Sequence, residues 1–333
     1  MSIGALYLLT MTVALQQPAS APAAAPAVRS LITLEPGAVL SYQGSARLSV
    51  SGEIEAKSSA TFELRFVVLG ASADGGLRVA MFRTVGLHRQ KLQGVESEVP
   101  ASQAAFLWTL DADLRRAGTR MAPAAQERML EPFLDVLPLP FGKAPGSKGE
   151  KVAGDRVRTP LGLEFDAQEM WSCAEPTPQS RIVSAVPSKR PAAAAGGVEG
   201  AKLVAAARAF EVDLTHRRIR RFVASWRVEL AGEVQPGHES GDLNAELKSA
   251  AVLPAAELAS LVAEADALDA AVKAIEAKNE SEELLESRLV RLERELAASA
   301  FAPEVRRLAS VARARAAARS GAPASAPASQ PAR

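Results

Sequence analysis

Three carboxylates lie close together ahead of a tryptophan, in Glu164-Phe165-Asp166-Ala167-Gln168-Glu169-Met170-Trp171. Two carboxylates can share acid and nucleophile roles, and a retaining glycosidase holds them about 5 Å apart beside an aromatic sugar subsite. On a strand Glu164 and Asp166 would share a face, which makes them a candidate hydrolytic pair. A solvated sheet face explains the same spacing, and one Trp adds little to the enzymatic reading. His88, His216 and His238 are widely separated, with no pair at metal-ligand spacing, so no metal site and no cofactor is expected. Cys173 is the chain's single cysteine. Without a partner thiol it reads as a small apolar side chain in a sheet. Gly142-Lys143-Ala144-Pro145-Gly146-Ser147-Lys148-Gly149 resembles a phosphate loop in composition only. Its spacing is wrong and Pro145 lacks a backbone donor, so a surface loop is expected. The chain reads as non-enzymatic.

Charge is concentrated once, in His216-Arg217-Arg218-Ile219-Arg220-Arg221. Arg217, Arg218, Arg220 and Arg221 form a candidate anion patch for a lipid headgroup or polysaccharide. Glu211, Asp213 and Glu229 are close enough in sequence to make the same segment a neutralised hairpin tip. Over the whole chain 39 basic residues face 38 acidic ones and aromatics are 5%. That balance gives no long-range attraction for polyanions and few stacking groups, so no nucleic-acid partner is expected.

The elements that would position these residues follow from periodicity. Residues 1–15 form an apolar run that decays into Ala, Pro, Gln and Ser, which predicts an export signal over 1–21 and a Pro/Ala linker over 22–30. The run is too short for a stable membrane anchor, so a secreted or periplasmic mature chain with no integral anchor is expected. Alternation then predicts an antiparallel β domain over 31–235. Leu40, Tyr42, Gly44, Ala46, Leu48 and Val50 alternate with polar residues, as do Phe62, Leu64, Phe66 and Val68. Further strands are expected at 77–85, 104–110, 155–171 and 181–186, with a hairpin of 206–214 and 219–231 that places Phe222, Trp226 and Val228 on one face. A short helix is expected near 126–137, ended by Pro138 and Pro140.

Residues 236–253 read as a linker, after which the period changes. Leu258, Leu261, Ala265, Leu268, Val272 and Ile275 step by three and four, Leu285, Leu289, Leu292 and Leu296 restart the stripe after Lys278-Asn279-Glu280-Ser281, and Pro303 begins a third short segment with Val305, Leu308 and Val311. Residues 254–318 therefore predict a helical hairpin packed on the sheet or a coiled coil with another chain, followed by a disordered tail over 319–333. The fold class is α+β: a mainly antiparallel curled sheet or half-barrel, then a C-terminal helical hairpin.

Two segments carry a resemblance: Phe210-Glu211-Val212-Asp213-Leu214 with Ile219-Arg220-Arg221-Phe222, and Leu137-Pro138-Leu139-Pro140 with Val152-Ala153-Gly154-Asp155. They resemble uncharacterised exported bacterial β-meander proteins, and the broader architecture is similar to half-barrel periplasmic lipoprotein carriers. The resemblance covers about residues 31–235, and Arg156-Val157 stand where an aromatic commonly follows the Gly-Asp step. It implies an apolar ligand such as a lipid, or an envelope protein partner, and no catalytic residues. The candidate binding residues are Phe62, Leu64, Phe66, Val68, Phe222, Trp226 and Val228, lining either a cavity or a filled core. The function expected is a binding or scaffold protein, the alternatives being partner docking through the helices or a carbohydrate-active hydrolase.

Overall fold

Alternation in the sequence becomes strand in the structure. The computed structural model describes residues 32–52, 55–72, 75–86, 88–99, 101–111, 116–120, 148, 150–158, 163–174, 177–194, 200–231, 237–277 and 282–320. The strands are β1 (Ala38–Ser51), β2 (Ala56–Ala71), β3 (Leu77–Val85), β4 (His88–Leu92), β5 (Val95–Val99), β6 (Ser102–Leu110) and β7 (Arg116–Arg120). They continue as β8 (Lys151–Arg158), β9 (Glu164–Cys173), β10 (Ser180–Pro187), β11 (Ala192–Ala193), β12 (Lys202–Asp213), β13 (Arg218–Leu230) and β14 (Gly237–Val252). Helices α1 (Ala255–Ala277), α2 (Glu282–Glu295) and α3 (Ala302–Ser320) follow. The expected leader over 1–21, the linker over 22–30, the helix near 126–137 and the tail beyond 320 lie outside the described residues.

All strands belong to one antiparallel sheet in the order β7-β6-β3-β2-β1-β14-β13-β12-β10-β9-β8, with β4 paired to the start of β2 and β5 to β4. The end strands β7 and β8 do not pair with each other, so the sheet is curled but unclosed. Curl is visible in contacts that skip a strand. Tyr42 on β1 donates its hydroxyl to the carbonyl of Ile219 on β13 at 2.9 Å, across the intervening β14. Its ring centroid lies 6.1 Å from that of Phe222. Flat neighbouring strands are about 4.8 Å apart, so such reach needs a bend and small residues beneath it. Gly44 supplies one: a Cβ there would stand 2.6 Å from the Phe62 ring and 2.8 Å from Ala245.

The concave face is a single apolar cluster with members on strands from β6 at one end to β8 at the other. The opposite face is divided. Near Val39, Val67, Leu69, Ala80, Ala105 and Leu107 it is apolar and covered by the helices. Ala265, Leu268 and Val272 of α1, Leu285, Leu289 and Leu292 of α2, and Val305 and Leu308 of α3 complete that second core. Phe301, just before α3, packs against Phe82 with ring centroids 5.1 Å apart. Arg78 on β3 holds Asp266 of α1 at 2.7 Å, and Ser299 donates to Glu264 at 2.6 Å. Beyond the helices, the outer face of β1, β2 and β14 carries Arg47, Ser49, Lys57, Ser240 and Asp242.

Three sequence expectations change here. Residues 236–253 are no linker: β14 occupies 237–252 and lies in the middle of the sheet, between β1 and β13. Its concave-face positions hold Gly237, Glu239 and Gly241 before Leu243 and Ala245, because the Trp226 indole covers the Gly241 position, where a Cβ would come 2.2 Å from the ring. That necessity erases the apolar alternation. The third short segment from Pro303 proves a full helix, Ala302–Ser320, joined to the hairpin, and the apolar stripes are buried on the sheet and on one another. A further hairpin, β4–β5, turns at Gln93 and Gly94, whose φ angles of 48° and 86° suit a two-residue turn. Its alternating charges hid it.

Phe301 is fully buried between the helices and the sheet. Phe301→Ala should therefore lower stability by about 3–5 kcal/mol, read as a shift of the urea midpoint.

Candidate ligand-binding face

Phe62, Leu64, Phe66 and Val68 alternate along β2, and Phe222, Trp226 and Val228 along β13, so each set projects to one side of its strand. The structure brings Phe62, Leu64, Phe66, Phe222, Trp226 and Val228 into the concave cluster and buries all seven residues, Val68 lying outside that cluster. Tyr42 joins them, edge-on to Phe66 at 5.8 Å and tilted against Phe222 at 6.1 Å. The aromatic series extends both ways: Trp108 lies 5.7 Å from Phe66, Phe210 6.5 Å from Phe222, and Trp171 5.7 Å from Phe210. Such tilted pairs each add about 0.5–1.5 kcal/mol beyond area burial. Tyr42, Trp108, Trp171 and Phe210 were not among the candidate residues, although each sits at an apolar position of an alternating strand. What single strands could not show was that the curl aligns them.

Polar groups enter this face at separate places. Glu239 on β14 is fully buried and accepts a hydrogen bond from the Trp226 indole N–H at 2.7 Å. Its second oxygen, Oε2, has no hydrogen-bond partner. Burial pushes the carboxyl above its ordinary value, with the Trp226 hydrogen bond partly opposing the shift. Glu169 on β9 is buried 3.2 Å from Arg208 on β12. The Arg83 guanidinium, also buried, stands 5.6 Å over the Phe106 ring. The Tyr42 hydroxyl is driven well above its usual range by burial, which the charge of Arg218 offsets in part.

Of the carboxylates before Trp171, Glu164 and Asp166 each face a cation. Glu164 binds Arg156 at 3.1 Å and Asp166 binds Lys189 at 2.6 Å. The Lys189 hydrogen bond and charge hold the Asp166 carboxyl below its ordinary value. Strand alternation sends Glu169 and Trp171 to the other face, away from both. Cys173 is buried, its thiol donating to the Ala174 carbonyl at 3.0 Å, and burial raises its pKa. Among the described residues no group of three or more His, Cys, Asp or Glu side chains could hold a metal ion.

His216 lies against Asp213 at 2.8 Å, and Asp213 also caps the turn by accepting from the backbone N–H groups of Thr215 and His216. His238 is half-buried with Nδ1 2.6 Å from the Ser51 hydroxyl. The arginine cluster is split by a bulge. The β12–β13 register shifts between Glu211 and Val212, so Arg220 and Arg221 are both exposed while Ile219 and Phe222 both turn inward. Arg220 is 3.7 Å from Glu211 and Arg221 is 4.0 Å from Glu246; Arg217, with a φ of 53°, forms part of the turn.

With this geometry in hand, comparison adds little. No family model matches the chain, and no curated protein does. A solved structure of lipovitellin, concerned with lipid–protein interactions in that protein, is similar over 66% of this chain and 26% of its own, at 11% identity and a TM-score of 0.44. The chain thus spans about a quarter of that protein's length, and a likeness this low carries no argument. No helix among the described residues is long and apolar enough to cross a membrane.

The raised Glu239 pKa fixes the sign of a pH effect. A carboxyl titrating higher in the folded state than unfolded contributes most below the unfolded value, about 4.3, and that contribution is lost as pH rises toward the folded value. Glu239→Gln keeps an acceptor for Trp226 and removes the charge. Thermal melts from pH 4 to 8 should show the variant gaining on wild type as pH rises; parallel curves would remove the assignment.

Proposed function

We propose that this protein is a non-enzymatic, exported binding protein that holds an apolar ligand, a lipid or other acyl chain, against its concave face. The observation that supports this reading is one contiguous apolar surface carried by an unclosed sheet. Because β7 and β8 are not bonded to each other among the described residues, the concave face can widen by moving these ends apart. That movement costs apolar contact, which the ligand replaces, and breaks no ladder hydrogen bond between the ends. An acyl chain suits a surface of Phe, Trp, Leu and Val with few polar groups, which fix orientation more than affinity. Export rests on the apolar leader-like run at residues 1–15.

The chain has three tryptophans, Trp108, Trp171 and Trp226, and all three lie in the concave cluster. Tryptophan fluorescence therefore reports on this face alone. Titration with a conjugated polyene fatty acid should give saturable energy transfer from tryptophan, and native mass spectrometry of protein taken from its own envelope fraction should show a discrete extra mass removed by solvent extraction. A bare mass together with no saturable transfer would overturn the reading.

A further inference from the structure

The outer face of the sheet, away from the helices, carries a polar groove that the apolar ligand does not use. Its floor is β1, β2 and β14, its wall is the β4–β5 hairpin, and its volume is about 980 Å³. Strand register orders the floor into two adjacent rows. Arg227, Ser240, Ser49, Lys57 and Lys91 are successive cross-strand partners from β13 to β4. Ser225, Asp242, Arg47, Ser59 and Arg89 form the next row. Each row spans four inter-strand spacings, about 19 Å.

Charge along these rows is unevenly satisfied. On the wall, Lys91 binds Glu96 at 3.2 Å and Arg89 binds Glu98 at 3.5 Å. Arg47 and Lys57 in the groove and Arg227 beside it are exposed and form no ion pair among the described residues; Asp242 is the cross-strand partner of Arg47, and Glu229 stands two residues from Arg227 on the same face. Between the cations stand serine hydroxyls, which both donate and accept.

From this the geometry points to a binding site for an extended acidic polysaccharide on the outer face of β13, β14, β1, β2 and β4. The unpaired cations are spread along the rows, which suits a chain bearing repeated carboxylate or sulfate groups better than one small anion. Serines match the hydroxyls of sugar rings. No aromatic side chain lines the groove, so bases of a single-stranded nucleic acid would find no stacking platform.

The test uses the full chain, with oligogalacturonate as probe and isothermal titration as readout. Neutral dextran, single-stranded DNA and anionic phosphatidylglycerol vesicles serve as competitors. Wild type should bind the polyuronate, more weakly at higher salt, and not dextran. Arg47→Glu/Lys57→Glu should weaken binding about tenfold or more, whereas Arg220→Glu/Arg221→Glu, with the same change in net charge, should not. Arg47→Ser/Lys57→Ser gives a milder loss should the reversal impair folding. The assignment is overturned by absence of polyuronate binding, by equal loss in both reversal variants, or by tighter binding of DNA or vesicles at the same residues. None of these readouts depends on the concave face.

Discussion

Every strand has two faces, and each must find a cover or face water; this constraint organises the molecule. The concave side covers itself by curling until side chains two strands apart touch. The convex side is covered by helices over one part and left to solvent over the rest. The division is written in short runs. Where β2 reads Phe66-Val67-Val68-Leu69 both faces are buried, and where it reads Lys57-Ser58-Ser59 no helix lies above. The same change occurs along β1, from Val39 to Arg47 and Ser49. Sheet and helices are thus one structure with two cores.

Most of the fold is legible in the sequence for this reason. Alternation located β1, β2, β3, β6, β12 and β13 within a few residues, and the stripes of α1, α2 and α3 were visible from their spacing. What could not be read was governed by partners distant in sequence. β14 looks like a linker because its inward positions must be small beneath Trp226, so the residues that make it a central strand are those that disguise it. The helical cover has a second sign in the sequence, since the consecutive apolar residues Phe66-Val67-Val68-Leu69 of one strand mean burial on both sides.

The candidate residues resolve along the same lines. The apolar set on β2 and β13 was placed on one surface, and curl supplied the aromatics between them. Strand parity separated Glu164 and Asp166 from Glu169, which no count of carboxylates along the sequence reveals. Glu239 escaped notice because it sits in the disguised strand. Its significance comes from burial, and burial is a property of the assembled sheet.

The position of β14 also has a consequence for how the chain is made. The sheet order places β1, near the beginning of the domain, and β13 on either side of a strand that emerges only with residues 237–252. Until then the earlier meander and the later one each present an unpaired inner edge, and such edges are templates for pairing with other chains. During synthesis the two halves can form locally, but they cannot join. The closing step is the insertion of β14 between them, a contact of long sequence separation and therefore slow. A chaperone that recognises open strand edges would have its longest window on this protein before that insertion, and a truncation that removes β14 while keeping β8–β13 would leave two sticky half-sheets instead of one shortened domain.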